Sequence, residues 1–151
     1  MAVWKKEIKS VEEMEKLAAE IGKYLRPPDV LTLEGDLGAG KTTFTKALAK
    51  SIGITRTVSS PTFTIIKQYE GDYPFNHLDV YRLANSEEDL GWDELFYGDA
   101  ISVVEWAQFI QEELPEDRLE LIIRHTGTYS REVECTPKGE RFTRICEEIF
   151  T

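Results

Sequence analysis

The stretch Gly35-Asp36-Leu37-Gly38-Ala39-Gly40-Lys41-Thr42 carries the most specific chemistry in the chain. Its spacing, G-x-x-x-x-G-K-[ST], is that of a loop that wraps a phosphate. Glycines let the backbone approach closely enough for consecutive N–H groups to ring an anion. A helix starting at the loop aims its positive end at the same charge. Lys41 would reach the β- and γ-phosphates, and the Thr42 hydroxyl would hold Mg²⁺. The flanking sequence supplies the elements that such a loop needs. Val30-Leu31-Thr32-Leu33 reads as a buried strand, while Phe44, Ala47, Leu48 and Ile52 recur at helical spacing before Gly53.

A phosphate loop alone only binds. Phosphoryl chemistry also needs an acid near the metal, at the C-terminal end of a neighbouring strand. Glu105, after the apolar run Ala100 to Val104, and Asp79, after a second strand-like run, both answer that description. Each alone could be a solvated strand-end carboxylate, but the metal or catalytic reading is preferred for both. Trp106 either packs over the site or fills the core. The base is argued by absence: no Asn-Lys pair occurs, and no Asp is followed by Gly three positions later, so guanine recognition motifs are missing and ATP is the expected nucleotide. An adenine pocket is expected from Ser10 and its neighbours, with the 127–130 turn opposite.

The elements around these residues follow in order. Val3 to Ile8 reads as an edge strand. Ser10-Val11-Glu12-Glu13 is a capping box, and Val11, Met14, Leu17, Ala18, Ile21 and Leu25 follow at helical spacing up to Pro27-Pro28. Beyond the loop and its helix, Ser59-Ser60-Pro61-Thr62 is either a rigid pre-strand turn or a segment that senses the γ-phosphate. Phe63 to Tyr69 and Tyr73 to Leu78 form a hairpin signature, which makes the sheet mixed. Ser86 opens a short acidic helix. Trp92, Phe96 and Tyr97 are either an exposed docking surface or loop aromatics tucked onto the core. Ala107 to Leu114 reads as a helix, Arg118 to Arg124 and Arg131 to Thr136 as strands, and Pro137 to Glu140 as a break. A last helix carries Phe142, Ile145, Cys146 and Ile149 on one face.

With 151 residues, 41% hydrophobic and 30% charged, the chain has the length of one domain and the composition of an ordinary soluble globular protein. Its order of strand-like and helix-like runs makes that domain α/β. No apolar run reaches the length of a membrane span and the N-terminus is no signal peptide, so a cytoplasmic protein is expected. Cys135 and Cys146 lack metal-ligand spacing and are expected to be buried. The net charge of −10 argues against tight direct binding of nucleic acid. In a nucleic-acid pathway, other proteins would hold the RNA.

Taken together, Gly-Asp-Leu-Gly-Ala-Gly-Lys-Thr-Thr at 35–43, Ser-Pro-Thr-Phe at 60–63, His-Leu-Asp-Val-Tyr-Arg at 77–82 and Val-Glu-Trp at 104–106 resemble the TsaE (YjeE) family in order and spacing. The resemblance implies a three-layer P-loop fold with a mixed, mostly parallel sheet. It also implies a small Mg²⁺-dependent ATPase needed for threonylcarbamoyladenosine at position 37 of tRNAs reading codons that start with A. The implied partners are TsaB and TsaD, with tRNA contacted only indirectly. By position, the implied nucleotide-binding residues are Ser10, Asp36, Leu37, Gly38, Ala39, Gly40, Lys41, Thr42 and Thr43. The turn before the last strand belongs to the same pocket, with Ser130 standing where relatives carry glycine. Thr42 and Glu105 would hold the metal, with Lys41, Asp79 and Glu105 catalytic. Ser60 and Thr62 fall in the switch-like loop. Two other readings use the same loop: a nucleotide-gated assembly switch with little turnover, and a small-molecule kinase, for which the expected Arg-rich lid is missing. Arg82 is the one candidate for supplying a catalytic cation in cis. With no basic lid in the sequence, turnover is expected to be slow for the chain alone and stimulated by TsaB and TsaD.

Overall fold

The structure is a computed structural model that describes residues 3–36, 38–58, 66–81 and 91–150. The expectations for Leu37, the Ser59–Thr62 turn, residues 63–65, Arg82 and the helix at Ser86 fall outside the described residues.

Seven strands form a single sheet in the order β1-β7-β6-β2-β5-β4-β3. They are β1 (Trp4–Ile8), β2 (Val30–Gly35), β3 (Ile66–Glu70), β4 (Pro74–Asp79), β5 (Ile101–Glu105), β6 (Arg118–His125) and β7 (Arg131–Lys138). The centre is parallel: β2 pairs with β5 and β6, and β4 with β5. Both flanks are antiparallel, through β1–β7–β6 on one side and the β3–β4 hairpin on the other. The directions therefore agree for β1, β6, β2, β5 and β4, with β7 and β3 opposed. All of β5 is buried, as expected of a central parallel strand, and its three aliphatic residues share that burial with Ser102 and Glu105. In β6 burial alternates residue by residue, with Leu119, Leu121 and Ile123 turned inward.

The sheet buries two faces. Leu31 and Leu33 of β2, Phe75 of β4, and Ile101 and Val103 of β5 share one cluster with Met14, Leu17 and Ile21 of α1 (Val11–Tyr24) and Phe44 and Leu48 of α2 (Lys41–Ser51). The last helix, α4 (Glu140–Phe150), adds Phe142, Ile145 and Cys146 to the same cluster. On the opposite face Val30, Leu78, Val80 and Val104 pack with Trp92 and Phe96 of the short α3 (Trp92–Phe96), and with Ile110 and Leu114. Three layers result, as expected. The 92–97 aromatics split: Trp92 and Phe96 are buried and stacked, while Tyr97 is exposed.

Two local expectations need correction. Ala107–Glu113 is a 3-10 segment with a break at Ile110 rather than an α-helix. Its apolar residues are too few and too irregularly spaced to hold a longer helix on the sheet. Pro137 does not end β7, because β1 pairs with β7 only as far as Cys135. Past that point β7 has no strand on its β1 side among the described residues, and a residue without an N–H is tolerated there.

Ser10 caps α1 as read, accepting the Glu13 N–H at 3.1 Å, while the Glu13 carboxylate reaches back to the Lys9 N–H at 2.7 Å. Ser10→Ala is expected to cost about 1 kcal/mol of stability in a urea unfolding series. An unchanged midpoint would show the cap to be idle. Both cysteines are buried, and burial pushes both thiols up, that of Cys146 to about 11.

Candidate functional site

The parallel strands β2, β5 and β4 all end on one edge of the sheet, and the loop after β2 lies across that edge. Gly38 and Gly40 sit at φ 77° and 113°, a left-handed backbone that strains any residue with a Cβ. Gly40 also provides the N-cap of α2 and has no side chain with which to cap it. The first turn of α2 is thus built to meet an external acceptor.

Lys41 opens α2 and turns its ammonium toward β5, where Nζ lies 3.4 Å from Glu105 Oε1. The other carboxylate oxygen, Oε2, lies 2.7 Å from His77 Nε2. Glu105 and His77 are 7% and 1% exposed, so this is a buried cation–carboxylate–imidazole chain. Burial alone pushes the Glu105 carboxyl up. The His77 hydrogen bond, the His77 charge and Lys41 together outweigh that and hold it below its ordinary range. An ionised Glu105 makes His77 Nε2 the donor. The opposite ring nitrogen, Nδ1, is buried without a hydrogen-bond partner among the described residues.

Asp79 is brought to the same place by register, since it stands opposite Glu105 in the β4–β5 ladder. Its Oδ1 accepts the Tyr81 N–H at 3.1 Å, and the Glu105 carbonyl accepts the Val80 N–H at 3.2 Å. Trp106 follows Glu105 with φ 62°, an uncommon backbone for a tryptophan. It does not fill the core: it is 38% exposed, and Lys41 Nζ lies 5.6 Å from its ring centroid. Tyr81 and Phe109 flank it, with ring centroids at 4.9 and 6.0 Å.

Two cavities flank the loop. One, of about 430 Å³, lies between Asp36 and Lys41 on one side and Trp106, Gln108 and His125 on the other. The second, of about 260 Å³, is lined by Ser10, Val11, Met14, Gly38–Gly40, Thr43, Thr128 and Tyr129. Ser10 and Thr43 thus share a cavity with the loop. Ser130 does not line it: its hydroxyl accepts from Thr126 Oγ1 at 2.9 Å, and the wall is formed by Thr128 and Tyr129. Asp36 and Thr42 are exposed at the loop and at the start of α2.

The residue that sequence reasoning passed over is His77. A lone histidine without a Cys or His neighbour carries no metal-binding motif, and it is assigned no role by sequence alone. Two signals were available: it opens the His-Leu-Asp-Val-Tyr-Arg stretch at 77–82, and it stands two residues before Asp79 on the same strand face.

Comparison with known proteins decides the family. The family model of threonylcarbamoyl adenosine biosynthesis protein TsaE matches residues 8–133. The chain belongs to the TsaE family. A TsaE relative, the tRNA threonylcarbamoyladenosine biosynthesis protein TsaE of Bacillus subtilis, is 52% identical over 139 residues, covering 91% of this chain and 88% of that protein. The TsaE of Treponema pallidum is 37% identical over 127 residues, covering 83% and 94%. The crystal structure of Bacillus subtilis YdiB superposes with a TM-score of 0.85 at 45% identity, covering 98% of this chain and 94% of that one. Among the described residues of this TsaE chain, no helix is long and apolar enough to cross a membrane.

Proposed function

We propose that this chain binds ATP with Mg²⁺ and hydrolyses it, slowly alone and faster with the TsaB–TsaD pair. The activity serves threonylcarbamoyl modification of adenosine 37 in tRNAs reading codons that start with A. The observation that carries the reading is Lys41, set by the glycine loop at the start of α2 and 3.4 Å from a buried, ionised Glu105. The relatives' names supply the pathway.

The donor set suits a nucleotide with a hard cation. No group of three or more His, Cys, Asp or Glu able to hold a metal is found among the described residues. Mg²⁺ usually takes one or two protein oxygens, with phosphates and waters completing its shell. Thr42 and Glu105 are the oxygen donors that would hold it, and bound there it would neutralise phosphate charge. Lys41 would direct its ammonium at the β- and γ-phosphates, leaving Glu105 Oε1 free to face the metal. His77 fixes the other carboxylate oxygen, so Glu105 has one orientation to offer. Asp79, opposite Glu105, would align the attacking water. The cavity between Ser10 and Tyr129 would take the adenine, and the first-turn N–H groups of α2 the phosphates. The charge of −10 supports a role in which TsaB and TsaD, rather than this chain, hold the tRNA. A cytoplasmic setting follows from that pathway.

Competition titration with Mg²⁺ present is expected to show ATP and ADP binding well ahead of GTP. Steady-state hydrolysis is expected to be slow for the chain alone and to rise by an order of magnitude or more with TsaB–TsaD, because one well-placed partner cation contributes heavily to phosphoryl transfer. Equal GTP binding would refute the adenine assignment. Fast turnover unchanged by partners would refute the partner dependence, and docking without turnover would mark an assembly switch.

A further inference from the structure

Arg131 is the first residue of β7, held between β1 and β6 opposite Ile8 and His125. Its guanidinium faces five backbone carbonyls. Nε donates to Ala39 O at 3.1 Å and one terminal nitrogen to Gly38 O at 3.4 Å. The other terminal nitrogen donates to Ser130 O at 2.9 Å, with Gly127 O and Thr128 O at 3.4 Å. One side chain therefore bridges the phosphate loop and the 126–130 turn, which are otherwise far apart in sequence. No carboxylate pairs with Arg131 among the described residues, in a chain whose net charge is −10.

We propose that Arg131 is a positioning residue for nucleotide binding, one that clamps the phosphate loop to the 126–130 turn and fixes which way the loop's peptide groups point. The inference rests on the reading that this loop binds a nucleotide. A trans peptide places its carbonyl and N–H on opposite sides. Drawing the Ala39 carbonyl onto Arg131 therefore turns the Gly40 N–H away from it. That N–H makes no hydrogen bond among the described residues, so it is presented rather than consumed. Gly38 and Gly40 have left-handed backbones and many alternatives without a tether, and the clamp removes those alternatives before the anion arrives. The same fork carries Thr128 and Tyr129, which wall the cavity beside Ser10. Phosphate loop and base pocket are thereby fixed relative to one another. The unpaired guanidinium also adds positive potential behind the loop.

A fork is needed for this and a point charge is not enough. Arginine offers donors on three nitrogens in a rigid plane, whereas lysine has one nitrogen and cannot hold both segments. The test compares the full chain with Arg131→Lys and Arg131→Ala. Calorimetry gives the Kd for Mg-ADP, thermal unfolding without ligand reports on the fold, and amide hydrogen exchange follows residues 38–41. ADP affinity is expected to fall about tenfold or more in both variants. The unliganded unfolding midpoint is expected to stay near that of the parent, and exchange at residues 38–41 to speed up. Wild-type ADP affinity in Arg131→Lys would overturn the clamp in favour of a bare charge effect. Unchanged affinity and exchange in Arg131→Ala would overturn any role for the residue. Should the alanine variant fail to fold, the lysine variant carries the comparison. A parent chain that bound no nucleotide would instead sink the function proposed above, and exchange without ligand would still read whether Arg131 holds the loop.

Discussion

Glu105→Gln is expected to lower the ATP hydrolysis rate by about 100-fold or more, the usual scale for removing one preorganised electrostatic group. Affinity for Mg-ADP is expected to stay within a few-fold. The amide keeps the shape of the carboxylate but not its charge. Lys41 then loses the counter-ion 3.4 Å away, and His77 faces a neutral oxygen or an NH₂ group where it had a carboxylate at 2.7 Å. Ground-state binding leans on the loop and the start of α2, which the substitution leaves in place. In the function proposed above, the metal shell and the water would depend on Glu105 most when charge builds in the transition state. Steady-state turnover with the partner pair, set beside a calorimetric Kd, separates the two effects. Turnover at the parent rate would shift the acid's role to Asp79, which the β4–β5 register holds directly opposite.

The second large effect concerns the platform beneath the loop. Phe44 is fully buried, three residues into α2 from Lys41, in the cluster that joins α2 to α1 and to β2. Phe44→Ala is expected to cost about 3–5 kcal/mol, combining lost transfer free energy with a cavity that close packing cannot fill. That is a large share of the roughly 5–15 kcal/mol that holds a domain folded. Urea unfolding is expected to show a lower midpoint with an unchanged slope. A loss below about 1 kcal/mol would show that α1 collapses into the space.

What the sequence made legible was local. The strand–glycine loop–helix unit, the Ser10 cap and the buried runs at Val30–Leu33 and Ile101–Val104 each announce themselves within a dozen residues. The family motifs add an order that matches the observed one. Register across the sheet was not legible. Nothing near His77 says that it touches Glu105, because that contact exists only once β4 lies parallel to β5 with Asp79 opposite Glu105. The same holds for Arg131, whose loop contacts span 92 and 93 residues of sequence. Pro137 misled for a related reason, since whether proline breaks a strand depends on which neighbour is beside it.

The parallel centre of the sheet also separates the molecule into two rims that answer to different demands. Every side chain in the Lys41–Glu105–His77 chain, and Asp79 beside it, hangs from the rim where β2, β4 and β5 end. The rim where those strands begin carries Arg26 to Asp29, the Gly71–Tyr73 turn and Tyr97 to Ala100, none of which lies near that chemistry in the strand order. Exposed positions there, such as Asp99, are a full strand length away from Glu105. A fluorophore or an affinity handle attached at that far rim would report on the protein, or hold it to a surface, while leaving the glycine loop unobstructed.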